Sequence, residues 1–156
     1  MARPGRPRAH RRVREAVEAR YETQPAELSG VLLDSDVVIE ILRGRREAAR
    51  AAERLAEKGV PTYCTAVTWA EVFAGLRPGE EPLTEAFFES RGEVVLDAVA
   101  GRRAGAYLAR YARSHGVEIA DALVAAAATT AGLRLWTRNR RHYPMPDLRF
   151  FDPEGP

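Results

Sequence analysis

Cysteine, histidine and lysine are scarce in this chain, and each scarcity excludes a class of protein. Cys64 is the one cysteine among 156 residues, so an internal disulfide and a cysteine-based metal cluster are both excluded. The three histidines are far apart in the sequence, which argues against a zinc site. Lys58 is the one lysine among 24 basic residues, so the arginines carry nearly all of the positive charge.

Long apolar runs are missing as well. No run approaches the roughly 18 residues that a membrane span needs, and no apolar segment of the kind that directs secretion follows the N-terminus. We therefore expect a cytoplasmic protein with no membrane segment. The length of 156 residues and the hydrophobic content of 46% are typical of one globular domain with a real core.

The formal net charge of +2 hides an uneven distribution. Residues 1–20 contain seven Arg and two Glu, a net charge of +5, which leaves about −3 for residues 21–156. We predict a basic, Arg-rich extension at residues 1–30, with a short helix at about 11–21, and a single domain at residues 31–156. The extension is interpreted as a solvated appendage. The alternative is that its arginines attract nucleic acid through the phosphates.

From residue 31 onwards, short apolar strands alternate with helical patterns. This alternation predicts an α/β protein with three layers, in which helices cover both faces of a short parallel sheet of four to five strands. The strands are predicted at residues 31–34, 60–64, 92–97, 133–137 and 148–152. The helices are predicted at residues 36–42, 45–57, 65–76, 83–90, 98–114 and 119–131.

Several carboxylates stand alone beside or within apolar elements. Asp34 closes the first strand in VLLDSDVVIE, and Asp36 follows two residues later. Glu71 is the only acid in TAVTWAEVFAGL, and Asp121 is the only acid in IADALVAAAATTAG. Because ligands of open parallel sheets bind at the carboxyl ends of the strands, these acids can meet at that edge.

Most of these acids also have a structural interpretation. Asp34 or Asp36 can cap the next helix, and Asp121 near a helix start gains from the helix dipole. Glu71 is harder to explain, since an acid buried in an apolar helix needs a partner or a metal. Clustered carboxylates stay ionised at neutral pH only if a cation neutralises them, and oxygen ligands favour Mg²⁺ or Mn²⁺. Such ions suit phosphodiester hydrolysis.

Four motifs, in this order, resemble those of a PIN-domain ribonuclease of the VapC toxin type. They are VLLDSDVVIEILRG, TAVTWAEVFAGL, DALVAAAATTAGL and LWTRNRRHYP, and LRFFDP resembles the closing strand of that family. The resemblance runs from about residue 31 to residue 153. It implies a PIN-like fold and a metal-dependent endoribonuclease that hydrolyses structured RNA such as tRNA, acting as the toxin of a toxin–antitoxin pair.

The resemblance also implies which residues form the site. Asp34, Glu71 and Asp121 are implied as catalytic metal ligands, with Mg²⁺ or Mn²⁺ as the cofactor. Asn139 is implied as a further catalytic position after the fourth strand, where many relatives have an acid, and its amide brings no charge to a second metal. Asp36 and Thr137 are interpreted as supporting residues.

The implied reaction is the in-line attack of metal-activated water on a phosphodiester, which leaves a 5′-phosphate. Arg138, Arg140 and Arg141 lie beside the proposed site and are candidate phosphate contacts, with a solvated basic loop as the alternative. His142 is interpreted as a surface residue, although its position allows it to approach the phosphate.

The implied partners are an antitoxin protein and a second copy of the chain. An antitoxin would occupy an apolar groove, and the aromatic residues that can line it are Trp69, Phe73, Phe87 and Phe88. The alternative for these four residues is ordinary core packing, which explains aromatics at helical spacing more often.

Two other functions stay open. The stretch LLDSDVV fits the Asp-x-Asp pattern of haloacid-dehalogenase-like phosphatases, but Lys58 precedes the second strand, on the wrong edge of the sheet, and no acidic pair follows. A PIN fold that binds RNA or a partner without cutting is left open by Asn139.

Asp97, which directly precedes a helix, is assigned to capping.

Overall fold

The computed structural model of the protein describes residues 28–155, so the helix predicted at 11–21 and nearly all of the predicted extension lie outside it. Within the described range the chain forms four strands, six α-helices and one 3₁₀ turn. The strands are β1 (Val31–Leu33), β2 (Thr62–Cys64), β3 (Gly92–Glu93) and β4 (Arg134–Trp136). The helices are α1 (Ser35–Leu42), α2 (Arg46–Glu57), α3 (Ala66–Ala74), α4 (Glu81–Glu89), α5 (Ala98–His115) and α6 (Ile119–Ala131), and the 3₁₀ turn is Arg140–His142.

The sheet is parallel and has the strand order β3-β2-β1-β4. From β1 the chain proceeds to β2 and β3 on one side, and it returns to add β4 on the other side. The strand order therefore reverses between β1 and β4, which is where open α/β sheets bind their ligands, at the carboxyl edge. The backbone N–H of Asp34 donates to the carbonyl of Trp136 at 3.0 Å and closes this edge.

Two apolar cores lie on opposite faces of the sheet, as the alternation along β1 requires. Leu32 packs with residues of α5 and α6, whereas Val31 and Leu33 pack with residues of α1 to α4. This arrangement confirms the predicted three-layer architecture. The central alanines of α6 are fully buried, and their small side chains let the helix lie close to the sheet and to α5. None of the described helices has both the length and the apolarity needed to cross a membrane.

The strands are shorter than the sequence predicts. The third strand has two residues rather than six, because the chain leaves the sheet after Val94 and becomes extended at Asp97, which caps α5. The predicted fifth strand is reduced to an isolated bridge between Leu135 and Phe150, and Pro153 follows soon after. The sheet thus has four strands, at the lower end of the predicted range.

Candidate metal centre

A pocket of about 110 Å³ opens at the carboxyl edge of the sheet, where β1 lies beside β4. Acidic side chains from several elements line it together with an amide and a phenol. These residues are Asp34, Asp36, Glu71, Asp121, Asn139 and Tyr143. The structure thus brings the predicted acids into one pocket, while their role as metal ligands stays a prediction.

Asp34 is buried and held by two hydrogen bonds. It is the N-cap of α1, and its Oδ1 accepts from the backbone N–H of Ser35 at 2.9 Å. Its Oδ2 accepts from the hydroxyl of Tyr143 at 2.8 Å. Only 7% of the residue is exposed. The cap interpretation of this carboxylate is confirmed, its orientation is fixed, and its role as a metal ligand stays a prediction.

Asp36 connects α1 to the loop that follows β4. Its Oδ2 accepts from the backbone N–H of Arg138 at 3.0 Å, and the hydroxyl of Thr137 lies at 3.5 Å. Its Oδ1 is buried and has no hydrogen-bond partner. Burial raises the pKa of Asp36, and the nearby carboxylate of Asp34 raises it further. An unpaired buried carboxylate oxygen is costly, so this atom favours a cationic neighbour.

Asp121 enters the pocket from the first turn of α6, where the sequence places it. Its Oδ2 accepts from the backbone N–H of Glu118 at 3.1 Å and so forms half of a capping box. Burial raises the pKa of Asp121, although the hydrogen bond from Glu118 opposes the shift. His142 is close by, with its Nδ1 at 3.8 Å from Asp121 Oδ2.

Glu71 corrects the sequence interpretation. It is exposed, so the argument that it is a buried acid in need of a partner is wrong. The neighbouring side chains Thr68 and Val72 are buried, and α3 therefore turns Glu71 outwards, to the edge of the pocket that it lines. The sequence of α3 is apolar on nearly every side, which hid the direction in which this residue points.

Asn139 organises the rim of the pocket. Its Oδ1 accepts from Nε of Arg141 at 3.0 Å. Because a guanidinium can only donate, the amide Nδ2 must face Nδ1 of His142, which lies at 3.0 Å and therefore accepts. The backbone N–H of Asn139 donates to the hydroxyl of Thr137 at 3.1 Å. Both ends of the amide are thus engaged by the loop itself, an arrangement that no sequence signal indicated.

The three arginines beside the pocket differ in their surroundings, although all are exposed. Arg138 forms an ion pair with Glu40. Arg140 donates to the carbonyl of Phe151 at 3.1 Å and lies over the ring of Phe150. Arg141 donates to the neutral amide of Asn139, and neither Arg140 nor Arg141 pairs with a carboxylate within residues 28–155. The charges of Arg140 and Arg141 are therefore less compensated than that of Arg138.

The donors of the pocket suit a hard divalent cation. They are carboxylate and amide oxygens, which Mg²⁺ and Mn²⁺ prefer. In the part of the chain that the structure describes, no three Asp, Glu, His or Cys side chains already form a closed metal cluster. Burial raises the pKa of Asp36 and of Asp121, and the nearby Asp34 carboxylate adds to both shifts, so a cation in the pocket would favour the ionised acids.

The four aromatic residues that were predicted to line a groove pack against one another, as the core-packing alternative expects. The rings of Trp69 and Phe88 stack at 4.4 Å, and Phe88 is only 3% exposed, so core packing explains this residue. A separate apolar pocket opens between α1, α3 and α4, and Leu83 at its edge is 66% exposed. Its other apolar walls are formed by Ile39, Leu42, Val72 and Leu76. The i, i+3 and i, i+4 spacings of these residues are the signal that could have identified it.

Known proteins match most of this chain. Residues 31–148 match the family described as PIN domain. Ribonuclease VapC10 of Mycobacterium tuberculosis is 38% identical over 116 residues, which cover 74% of this chain and 86% of that protein. Ribonuclease VapC19 of the same organism is 33% identical over 120 residues, which cover 76% and 96%. A solved toxin–antitoxin complex from Klebsiella pneumoniae shares the fold, with a TM-score of 0.63 and 23% identity over 80% of this chain and 98% of that chain.

Proposed function

This chain belongs to the PIN-domain family, and from that membership we propose that it is a metal-dependent endoribonuclease acting as the toxin of a toxin–antitoxin pair. The two relatives are named ribonucleases, and each matches over most of its length. The observation that carries the proposal is the acidic pocket at the carboxyl edge, between β1 and β4. Three separate helical segments bring acids to it, which a merely structural role does not require.

The proposed cofactor is Mg²⁺ or Mn²⁺, held by Asp34, Glu71 and Asp121. When bound, such an ion supplies Lewis acidity and charge neutralisation at the scissile phosphate. The hydrogen bonds to Asp34 keep its carboxylate in one orientation, and the capping box does the same for Asp121. Asp36 supports the site by holding the loop after β4 against α1.

The proposed substrate is a structured cytoplasmic RNA such as tRNA. Among the arginines beside the pocket, Arg141 is the strongest candidate for a phosphate contact, because Asn139, which lines the pocket, holds it at the rim and no acid within residues 28–155 pairs with it. Glu40 compensates much of the charge of Arg138. Asn139 therefore supports the site through Arg141 and His142 rather than as a charged ligand.

The proposed partners are a protein antitoxin and a second copy of the chain. The Klebsiella structure with the same fold is a toxin–antitoxin complex, and this supports an antitoxin for the present chain. The apolar pocket between α1, α3 and α4, with the exposed Leu83, is the surface that we assign to it. Homodimerisation stays an expectation from the family.

The alternative of an Asp-nucleophile phosphatase is disfavoured by the position of the one lysine. Lys58 ends α2 just before β2 begins, at the amino edge of the sheet, and it does not line the acidic pocket. The lysine that such an enzyme needs beside its aspartate is therefore missing from this pocket.

The deciding experiment is the cleavage of end-labelled total tRNA in Mg²⁺, in EDTA, and by Asp121→Asn. We expect discrete cuts that disappear in EDTA and a rate at least about 100-fold lower for the variant, since the substitution removes a charged ligand. Asp97→Asn, an exposed cap outside the pocket, is the matched control and should cut normally. Equal RNA binding by both proteins without any cuts would favour the non-catalytic binding module.

A further inference from the structure

Tyr143 is a buried phenol in the wall of the acidic pocket, with 4% of the residue exposed. Its hydroxyl donates to Oδ2 of Asp34 at 2.8 Å, a buried contact between residues 109 positions apart. In the sequence, Tyr143 stands out only as the aromatic residue after LWTRN. Resting on the function proposed above, we propose that Tyr143 is a positioning residue that holds Asp34 in the orientation that binds the divalent ion.

Both the backbone and the ring of Tyr143 are held in place. The 3₁₀ turn at 140–142 brings the chain back towards the sheet, and the backbone N–H of Tyr143 donates to the carbonyl of Arg140 at 2.9 Å. Its ring belongs to the core cluster that includes Val124 of α6 and Leu135 of β4. The hydroxyl therefore occupies a fixed place at the polar edge of a packed core.

This contact restricts how Asp34 can bind a cation. Ser35 N–H engages Oδ1 and the Tyr143 hydroxyl engages Oδ2, so each oxygen already accepts one hydrogen bond and keeps further lone-pair capacity for a metal. The two donors come from different elements, and together they prevent rotation of the carboxylate. Groups that hydrogen-bond to a metal ligand in this way typically raise metal affinity 10–100-fold, by orienting the ligand.

The chain offers a matched control for a purely structural role. Tyr107 lies on α5, outside the acidic pocket, and is also buried. Its hydroxyl donates to Oδ2 of Asp147 at 2.7 Å. Tyr107→Phe and Tyr143→Phe each remove one phenol hydroxyl that donates to an aspartate, and the Tyr107 hydroxyl also lies 3.1 Å from the hydroxyl of Thr129. The aspartates differ in place: Asp34 is buried in the acidic pocket, whereas Asp147 is exposed and lies outside it.

The test is titration of the full-length chain with Mn²⁺ by calorimetry, for the wild type, Tyr143→Phe and Tyr107→Phe, with melting curves in EDTA. We expect both variants to fold in EDTA with similar, modest losses in Tm. Only Tyr143→Phe should bind Mn²⁺ more weakly, by about 10–100-fold. In RNA cleavage, excess Mn²⁺ should restore this variant to the wild-type plateau, which a structural defect would not allow.

The outcomes separate the two proposals. Equal Mn²⁺ affinity for the wild type and Tyr143→Phe overturns the positioning role while leaving the metal-dependent ribonuclease intact. The same holds if Tyr107→Phe weakens binding as strongly as Tyr143→Phe does, since the effect is then not specific to the pocket. A wild-type chain that binds no Mn²⁺ at millimolar concentration overturns the proposed cofactor, and the positioning role with it.

Discussion

At the scale of single residues, Asp36 should lower the stability of the metal-free chain while favouring the proposed metal. Its Oδ1 is buried without a hydrogen-bond partner, and burial together with Asp34 raises its pKa above the ordinary value of 3.8. The folded chain thus holds this proton more tightly than the unfolded chain does. In the absence of metal, the free energy of unfolding should therefore fall as the pH rises from about 3.8 through the raised pKa of the folded state.

Asp36→Asn should consequently raise the Tm of the metal-free chain. The amide removes the buried charge and keeps an oxygen for the backbone N–H of Arg138, and a neutral amide costs less to bury than a carboxylate. Melting curves in EDTA should show a larger gain at pH 8 than at pH 5, and Mn²⁺ should bind more weakly. Asp147→Asn is the control, because Asp147 pairs with Arg103 and its loss should not stabilise the chain. A lower Tm for Asp36→Asn at pH 8 would contradict this account.

The sequence predicted the identity of the pocket acids better than their surroundings. Asp34 and Asp121 follow from local signals, the end of an apolar strand and the first turn of a helix. The exposure of Glu71 depends on how α3 is rotated against the sheet, which no local pattern in that apolar helix specifies. The link from Asn139 to Arg141 and His142 depends on a short 3₁₀ turn, and such turns have no strong sequence signature.

At the scale of elements, the helix ends were the most predictable features. Asp97 was assigned to capping, and its Oδ1 accepts from the backbone N–H of Ala100 at 3.0 Å at the start of α5. Gly116 ends the same helix with a φ of 64°, a conformation that glycine adopts without strain. Strand lengths were less predictable, because they depend on which neighbouring backbone groups remain available. The predicted fifth strand therefore survives only as a bridge to β4.

The cap of α5 gives a prediction that should affect stability and not activity. Asp97→Ala removes the acceptor for the first turn of an 18-residue helix and should cost about 1 kcal/mol. For a chain of this size the Tm should fall by about 2–4 °C. Asp97→Ser retains a cap and should lose much less, and both variants should cut RNA at the wild-type rate. A loss of cleavage in either variant would place Asp97 in the site and contradict its assignment to capping.

At the scale of the whole molecule, the division between extension and domain stays a prediction that deletion can test. Among residues 28–155, both apolar cores are built from residues within 31–151, and the first hydrogen bond runs from Leu28 N–H to the carbonyl of Ala131 at 2.9 Å. If the domain at residues 31–156 folds by itself as predicted, a chain that lacks residues 1–27 should keep its Tm and its Mn²⁺ affinity.

RNA binding by the shortened chain distinguishes the two interpretations of the arginines. A solvated appendage predicts equal affinity for the full-length and shortened chains at low and at moderate salt. Contacts between the extension and phosphates predict weaker binding by the shortened chain and a shallower dependence of affinity on salt. Filter binding at two salt concentrations measures both quantities, and the second result would overturn the interpretation that we prefer.

Asp34 is both a helix cap and a pocket acid, and this affects which mutations can inactivate such a toxin. Asp34→Ala removes the cap of α1 together with the pocket carboxylate, so it threatens the amount of folded protein as well as its chemistry. Glu71 is exposed and no helix start depends on it, so Glu71→Ala should leave a folded, inactive chain. A population under pressure to silence a toxin thus has two kinds of lesion available. One tends to remove the protein, and the other leaves an inert copy that still competes for its antitoxin.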